Sequence, residues 1–351
     1  MEISLGTVNP EEYIREHARY LDAEVVSRYN QYWLNLPPEI GEGIYKGIAF
    51  NDGFNLFQYK MIHHTDMEIF FEQRDEPRNI LIFNLKEKAE LKINGDQEKV
   101  MLDKYQNFVI SIPEGTPYSL KFSKNRPYFL NILDISGLQI NFDKKNIHAW
   151  EKIMNRLFQN FDSSKLYIHK GNYNLASLEL FEHIENFKKN DMLEYLFLDA
   201  KAHEILVRQL SLYESEIMDP EAGIVGSAED AEIIASATRI IKNRLGEIKT
   251  VTDLARSCAT NNNKLQEGFR RYLGQTVNRY LISARMERGR DLLIETNYTI
   301  SEIVDRIGLR SKSYFSKMFR EKYGFSPSEF RRRLKRNSEV LPGTDGHLTK
   351  H

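Results

Sequence analysis

Residues 251–334 carry nearly the same sequence twice, which restricts that part of the chain to folds that use one helical unit in duplicate. Leu254 matches Ile303 at a spacing of 49 residues, whereas Leu265, Phe269, Arg270 and Gly274 match Phe315, Phe319, Arg320 and Gly324 at 50. The extra residue of the second copy therefore falls in a turn, because inside a helix it would rotate every later side chain by about 100°. Each copy opens on a helix-start signal, Thr250 with Asp253 and Thr299 with Glu302, in which hydroxyl and carboxylate cap each other's backbone. A short helix, a tight turn at residues 259–261 or 308–311, and a longer helix ending at Gly274 or Gly324 follow. That is the order of a helix-turn-helix, whose first helix buttresses a second that fits a DNA major groove. Residues 276–295, between the copies, predict a helix of about 30 Å. One DNA turn is about 34 Å, so one chain can reach two successive major grooves.

Charge supports a polyanionic partner for this part alone. Residues 239–336 hold 23 Lys and Arg against 10 Asp and Glu, while the rest of the chain holds 26 against 40. The overall charge of −1 thus conceals a polycation joined to an acidic body. The cluster Arg331-Arg332-Arg333-Leu-Lys-Arg336 follows a capped helix start at Ser326-Pro-Ser-Glu329 and reads as a phosphate grip.

Two segments carry a family resemblance: Arg285-Met-Glu-Arg-Gly-Arg290 through Val304, and Gly308-Leu-Arg-Ser311 through Gly324-Phe-Ser-Pro-Ser-Glu-Phe-Arg331. Together they resemble the signature of AraC-type (AraC/XylS) transcriptional regulators over about 85 contiguous residues. Residues 262–269 and 274–277 are most similar to the branch typified by the pyochelin regulator. Gly289 stands where the family usually has Ala, and Ala259 where a turn Gly is common. The resemblance implies DNA contacts by position: Asn262, Asn263, Gln266, Glu267 and Arg270 in the first copy, Lys312, Ser313, Ser316, Lys317 and Arg320 in the second. Amides suit adenine edges and an acid accepts only from cytosine, so the first copy reads as the more specific; Lys and Ser position better than they discriminate.

Upstream the pattern is different. Residues 44–136 form short β-rich runs separated by turn residues, the grammar of a sandwich or barrel, with Asn94-Gly95 as a hairpin turn. The resemblance implies a cupin-like, effector-sensing domain here. Phe57, Tyr59, Phe83 and Tyr118 are the candidate effector-pocket residues, while core packing is the competing role for any single aromatic. Tyr118 occupies the position where a metal-binding cupin carries His, and His63 and His64 cannot face the same side of a strand, so the sequence presents no metal ligand set and no cofactor.

The chain thus reads as multidomain α+β. An N-terminal arm (1–43) with a helix over residues 10–26 precedes a cupin-like β barrel or sandwich (44–136). A helical coupling and candidate homodimerisation region (137–216) follows, with helices at 147–159, 177–189 and 193–213. A linker (217–228) leads to an all-α double helix-turn-helix (229–336) and a disordered tail (337–351). The expected function is a non-enzymatic, cytoplasmic, effector-responsive activator bound to double-stranded DNA, with RNA polymerase and a small-molecule effector as further partners. The rivals are a cupin-type oxygenase fused to a DNA-binding module and a ligand-independent DNA binder. The lone Cys258 suits a reducing compartment, and no run approaches the roughly 20 apolar residues of a spanning helix.

Overall fold

Short apolar-rich strands in the first half of the chain, between Glu2 and Tyr173, build two sheets. The computed structural model describes residues 1–72, 76–94, 97–138, 164–189, 191–219, 226–248 and 250–340, which divide into the units Met1–Ala231 and Glu232–His351. In spatial order the smaller sheet is β1 (Glu2–Leu5), β6 (Met67–Phe71), β11 (Tyr118–Phe122), β8 (Ala89–Ile93) and β9 (Glu98–Leu102). The larger is β13 (Tyr167–Tyr173), β10 (Gln106–Ile112), β7 (Arg78–Asn84), β12 (Tyr128–Asp134), β5 (Asn55–His63), β4 (Gly41–Ala49), β3 (Gln31–Asn35) and β2 (Val26–Arg28). One apolar cluster joins the two sheets, with Ile69, Leu91, Leu120 and Phe122 from the smaller and Tyr45, Phe57, Phe108 and Leu130 from the larger. The expected hairpin forms with Leu91 opposite Val100 and Asn94 at φ 52°, while Gly95 lies outside the described residues.

Residues 1–43 pack into this domain through both a strand and a helix. Strand β1 pairs in parallel with β6, from Glu2 opposite Glu68 to Leu5 opposite Phe71. Helix α1 (Pro10–Leu21) starts where the Asn9 side chain accepts the N–H groups of Glu11 and Glu12, and it ends at Asp22 in the left-handed region. It stops short of the expected residue 26 because Val26 already pairs with Trp33 in β2. The buried face of α1, with Tyr13, Ile14, Ala18 and Leu21, completes the apolar cluster.

The segment read as helical coupling first returns to the sheet, β13 pairing with β10 from Ser111–Tyr167 to Gln106–Tyr173. Helices α2 (Ala176–Asn186) and α3 (Met192–Met218) follow, the second capped by Asp191, whose side chain accepts the N–H groups of Leu193 and Glu194. Helix α3 runs past residue 213 because Glu216, on its last turns, accepts from His169 Nε2 at 2.7 Å and the Asn172 N–H at 2.8 Å. The helix expected at 147–159 and residues 220–225 of the expected linker lie outside the described residues.

The second unit is helical: α4 (Ala228–Arg244), α5 (Val251–Ser257), α6 (Asn262–Leu273), α7 (Val277–Glu295), α8 (Ile300–Arg306), α9 (Lys312–Tyr323) and α10 (Pro327–Val340). Helix α10 continues four residues beyond the position where the sequence suggests a tail, and residues 341–351 are outside the described set.

Candidate nucleic-acid interface

Both copies are built by the same local chemistry. The Thr250 hydroxyl accepts the Asp253 N–H at 3.1 Å while the Asp253 carboxylate accepts the Thr250 N–H at 2.9 Å. Thr299 and Glu302 repeat the exchange at 3.3 and 2.7 Å. Each short helix then stops on a left-handed residue, Ala259 at φ 51° or Gly308 at φ 72°. The duplication offset is located here: only Thr260 separates Ala259 from its N-cap Asn261, whereas Leu309 and Arg310 separate Gly308 from Ser311. The Asn261 side chain accepts the Lys264 N–H at 2.8 Å and the Ser311 hydroxyl accepts the Tyr314 N–H at 3.2 Å. Those caps set the starts of α6 and α9, and left-handed Gly274 and Gly324 end them. Leu265 and Phe269 of α6 are buried, as are Phe315 and Phe319 of α9, so the opposite face of each helix turns outward.

On α6, Asn263, Glu267 and Arg270 are exposed and Gln266 is half-buried. Asn262, at the helix start, donates its amide to Thr252 Oγ1 of the preceding helix at 3.0 Å. Glu267 pairs with Arg271 at 2.5 Å, so its negative charge is partly answered before any DNA arrives. On α9, Lys312, Ser313, Lys317 and Arg320 are exposed, with Ser316 half-buried at the position matching Gln266. Two further groups share that exposed end and went unnoticed in the sequence: Arg310 in the turn and Tyr314, 39% exposed. An exposed aromatic beside a reading face, where the first copy has Lys264, is the signal that identifies it.

The two copies are tied together by buried contacts within this unit. Arg285 of α7 is 8% exposed; its Nε donates to the Ile307 carbonyl at 3.1 Å and its Nη2 to the Ile248 carbonyl at 2.6 Å. Ile307 closes the first helix of copy two and Ile248 precedes the first helix of copy one. A Cβ on Gly246 would stand 2.6 Å from the Arg306 carbonyl, so the same two loops meet at backbone distance. Of the basic cluster on α10, Arg331 is half-buried and donates from Nη1 to the Tyr298 carbonyl at 2.5 Å. Arg332 and Arg333 are exposed, the Arg333 guanidinium 3.8 Å above the Phe325 ring.

The four aromatics grouped from sequence as an effector pocket do not converge. Phe57, Tyr59 and Tyr118 face the cluster between the sheets: Tyr118 stacks on Phe71 at 4.3 Å, and the Tyr59 hydroxyl bonds that of Tyr13. Phe83 points out of the opposite face of the larger sheet and stacks on Phe181 of α2. Strand parity causes the split, since Phe83 lies in register with Asn131 and Asn107 on the outward set. All four are at most 5% exposed, and side chains fill the space between the sheets. His63 is buried and shares a 2.6 Å hydrogen bond with the Tyr45 hydroxyl, whereas His64 is exposed and Glu68 is engaged by Ser119 and Lys92. Among the described residues no three His, Cys, Asp or Glu side chains are grouped to hold a metal ion.

Two capped helix pairs, joined by one central helix and locked by a shared arginine, define a double helix-turn-helix module. A family model described as a helix-turn-helix domain matches residues 254–333, and the module is similar to the DNA-binding domains of AraC-type regulators. The chain is 30% identical over 99 residues to the Msm operon regulatory protein of Streptococcus mutans, covering 28% of this chain and 36% of that protein. It is 28% identical over 145 residues to the HTH-type transcriptional activator RhaR of Yersinia pestis, covering 40% and 47%. The chain thus spans between about a third and a half of the length of these relatives. Among solved structures, a transcriptional regulator with an AraC-type DNA-binding domain from Chromobacterium violaceum aligns at 25% identity and a TM-score of 0.29, over 33% of this chain and all of that one.

Proposed function

We propose that the chain is a sequence-specific transcription regulator, an effector-responsive activator that reads two successive major grooves with α6 and α9. The observation that carries this reading is the tie from Arg285 to both copies. Two reading helices on a flexible tether would search independently, whereas two helices fixed to one framework bind a composite site as one body. Their exposed Asn263, Lys312, Lys317 and Arg320 offer base-reading and phosphate-holding groups, and the charge excess of residues 239–336 supplies the field. The reading places the protein in the cytoplasm without catalytic activity, with RNA polymerase and a second copy of the chain as partners; the relatives' names as regulators and activators support it. No helix among the described residues is long and apolar enough to cross a membrane.

The experiment is selection of duplexes from a random library followed by hydroxyl-radical footprinting of the winners. Two protected patches on one face of the duplex, about 10 base pairs apart, are expected. A single patch, or binding that ignores both sequence and salt, refutes the two-groove reading.

A further inference from the structure

The outer face of the larger sheet, away from the aromatic core, carries a cleft of about 640 Å³ that DNA reading leaves unused. Lys46, Gln58 and Lys60 project into it from β4 and β5, Trp33 and Phe129 give it apolar walls, and Lys188 stands on its rim in the α2–α3 connection. Most of its polar groups are already engaged. Gln58 donates to Asn131 Oδ1 at 2.8 Å, Lys60 is paired with Glu185, and Glu194 accepts the Lys189 N–H at 2.8 Å. Lys46 differs: it is 9% exposed, and no described residue closes a hydrogen bond or ion pair on its ammonium. The carboxylates of Glu194 and Glu185 are near enough to favour its charge, yet neither closes a direct bond on it, and a buried ammonium left without such a contact is costly unless an anion arrives from outside.

Resting on the effector-responsive reading above, we propose that this cleft is the effector site and that it takes a small organic carboxylate. The anion sits on Lys46, assisted by Lys188, and the apolar body lies against Trp33 and Phe129. Glu185 and Glu194 also border the cleft and disfavour a second negative charge, which selects a monoanion over a phosphate dianion. Burial and the neighbouring Lys188 hold the Lys46 pKa down to about 8 against the opposing pull of Glu194 and Glu185, so the group still carries its proton near neutrality. A ligand here touches the sheet and the start of α3 together, which gives it purchase on the long helix.

The test uses the full-length protein carrying Trp150→Phe, which leaves Trp33 as the sole indole of the two in the chain. Phenylbutyrate and octanoate are titrated, with their neutral amides as controls, while indole emission and melting temperature are recorded. The expected result is a saturable emission change with a carboxylate, weakened by about tenfold or more in the amide and in Lys46→Met. Without ligand, Lys46→Met should melt above the parent, since the desolvation of a buried charge outweighs its attraction to Glu194 and Glu185. Equal binding of acid and amide, no response to either acid, or a lower melting temperature for Lys46→Met overturns the proposal. The same preparations are assayed on the selected duplex. Intact DNA binding with no carboxylate response sinks this site alone, and lost DNA binding with the response intact sinks only the DNA reading.

Discussion

The ring of Phe315 approaches Gly289 so closely that a Cβ on that glycine would stand 2.8 Å from Phe315 Cε2 and 3.0 Å from Cζ. Gly289 lies mid-helix in α7 and Phe315 at the end of the first turn of α9, so this contact seats the second reading helix on the central one. The Gly at a position where the family usually has Ala is therefore a fitted feature of this chain.

Gly289→Ala is expected to destabilise the module despite the helix preference of alanine. Overpacking costs about 1–3 kcal/mol, against a propensity gain of about 1 kcal/mol. Denaturant unfolding of the variant measures the difference, and Phe315→Leu in the same chain should relieve it. An unchanged midpoint for Gly289→Ala would mean that the ring moves aside freely.

Ala259 sits at φ 51° where its counterpart is Gly308, and an L-residue in that region is strained by about 1–2 kcal/mol. Ala259→Gly should raise the stability of the module by roughly 1 kcal/mol after its greater unfolded-state freedom is counted. A melting temperature that falls instead would show the turn to be held by something other than this backbone conformation.

Gln266→Ala should alter base preference in a selection experiment, while Arg332→Ala should lower affinity on every sequence and reduce the salt slope by about one. Arg331→Ala belongs to neither class, because its guanidinium holds the Tyr298 carbonyl; its main effect should be on unfolding. Base preference unmoved by Gln266→Ala would remove α6 from the groove.

The β domain should lose stability in acid. Burial depresses His17 and His63 to about 4 from an ordinary 6.5, His63 being lowered further by the N-terminal ammonium and His64. Between those values the unfolded chain takes up protons that the folded one refuses, so stability falls as pH drops from 6.5 toward 4. The slope approaches about 1.4 kcal/mol per pH unit for each group. His63→Gln, whose side chain can still accept from Tyr45, should halve it; an unaltered slope assigns the effect elsewhere.

Lys46 acts at the other end of the scale. Its folded-state pKa of about 8 lies below the ordinary 10.5, so the charged side chain disfavours folding fully below pH 8. Stability should rise as pH climbs from 8 to 10.5, because over that interval the unfolded chain binds the proton and the folded chain does not. Lys46→Met should erase this rise in a pH series of unfolding curves.

The double unit was legible because its signals are local: Thr250 with Asp253, Thr299 with Glu302, and a glycine after each long helix lie within a few residues of the backbone they satisfy. Runs such as Met67–Phe71 and Tyr118–Phe122 announced themselves by alternation and formed the strands expected of them. What escaped were decisions made across long separations. Nothing near Glu2 marks it as the partner of Glu68, and nothing near Tyr167 marks it as the partner of Ser111. The faces of the four aromatics escaped for the same reason: Phe57 and Tyr59 share a face by parity within one strand, but the side on which Phe83 falls is set by its register with neighbouring strands. Lys46 was invisible because a lysine in a strand ordinarily reaches water, and only α2 and α3 folding over the sheet bury it.

Arg285 makes the distance between the two reading helices a property of the protein and not of the DNA. A fixed gauge reads one pitch. Moving one half of an operator by about five base pairs carries its groove to the far side of the duplex, since a full turn takes about 10.5. A chain with both loops latched to one guanidinium has no means of following it there. Mutations that lengthen or shorten α7 should therefore be tolerated only alongside compensating changes in binding-site spacing, and regulator and operator would drift together or not at all.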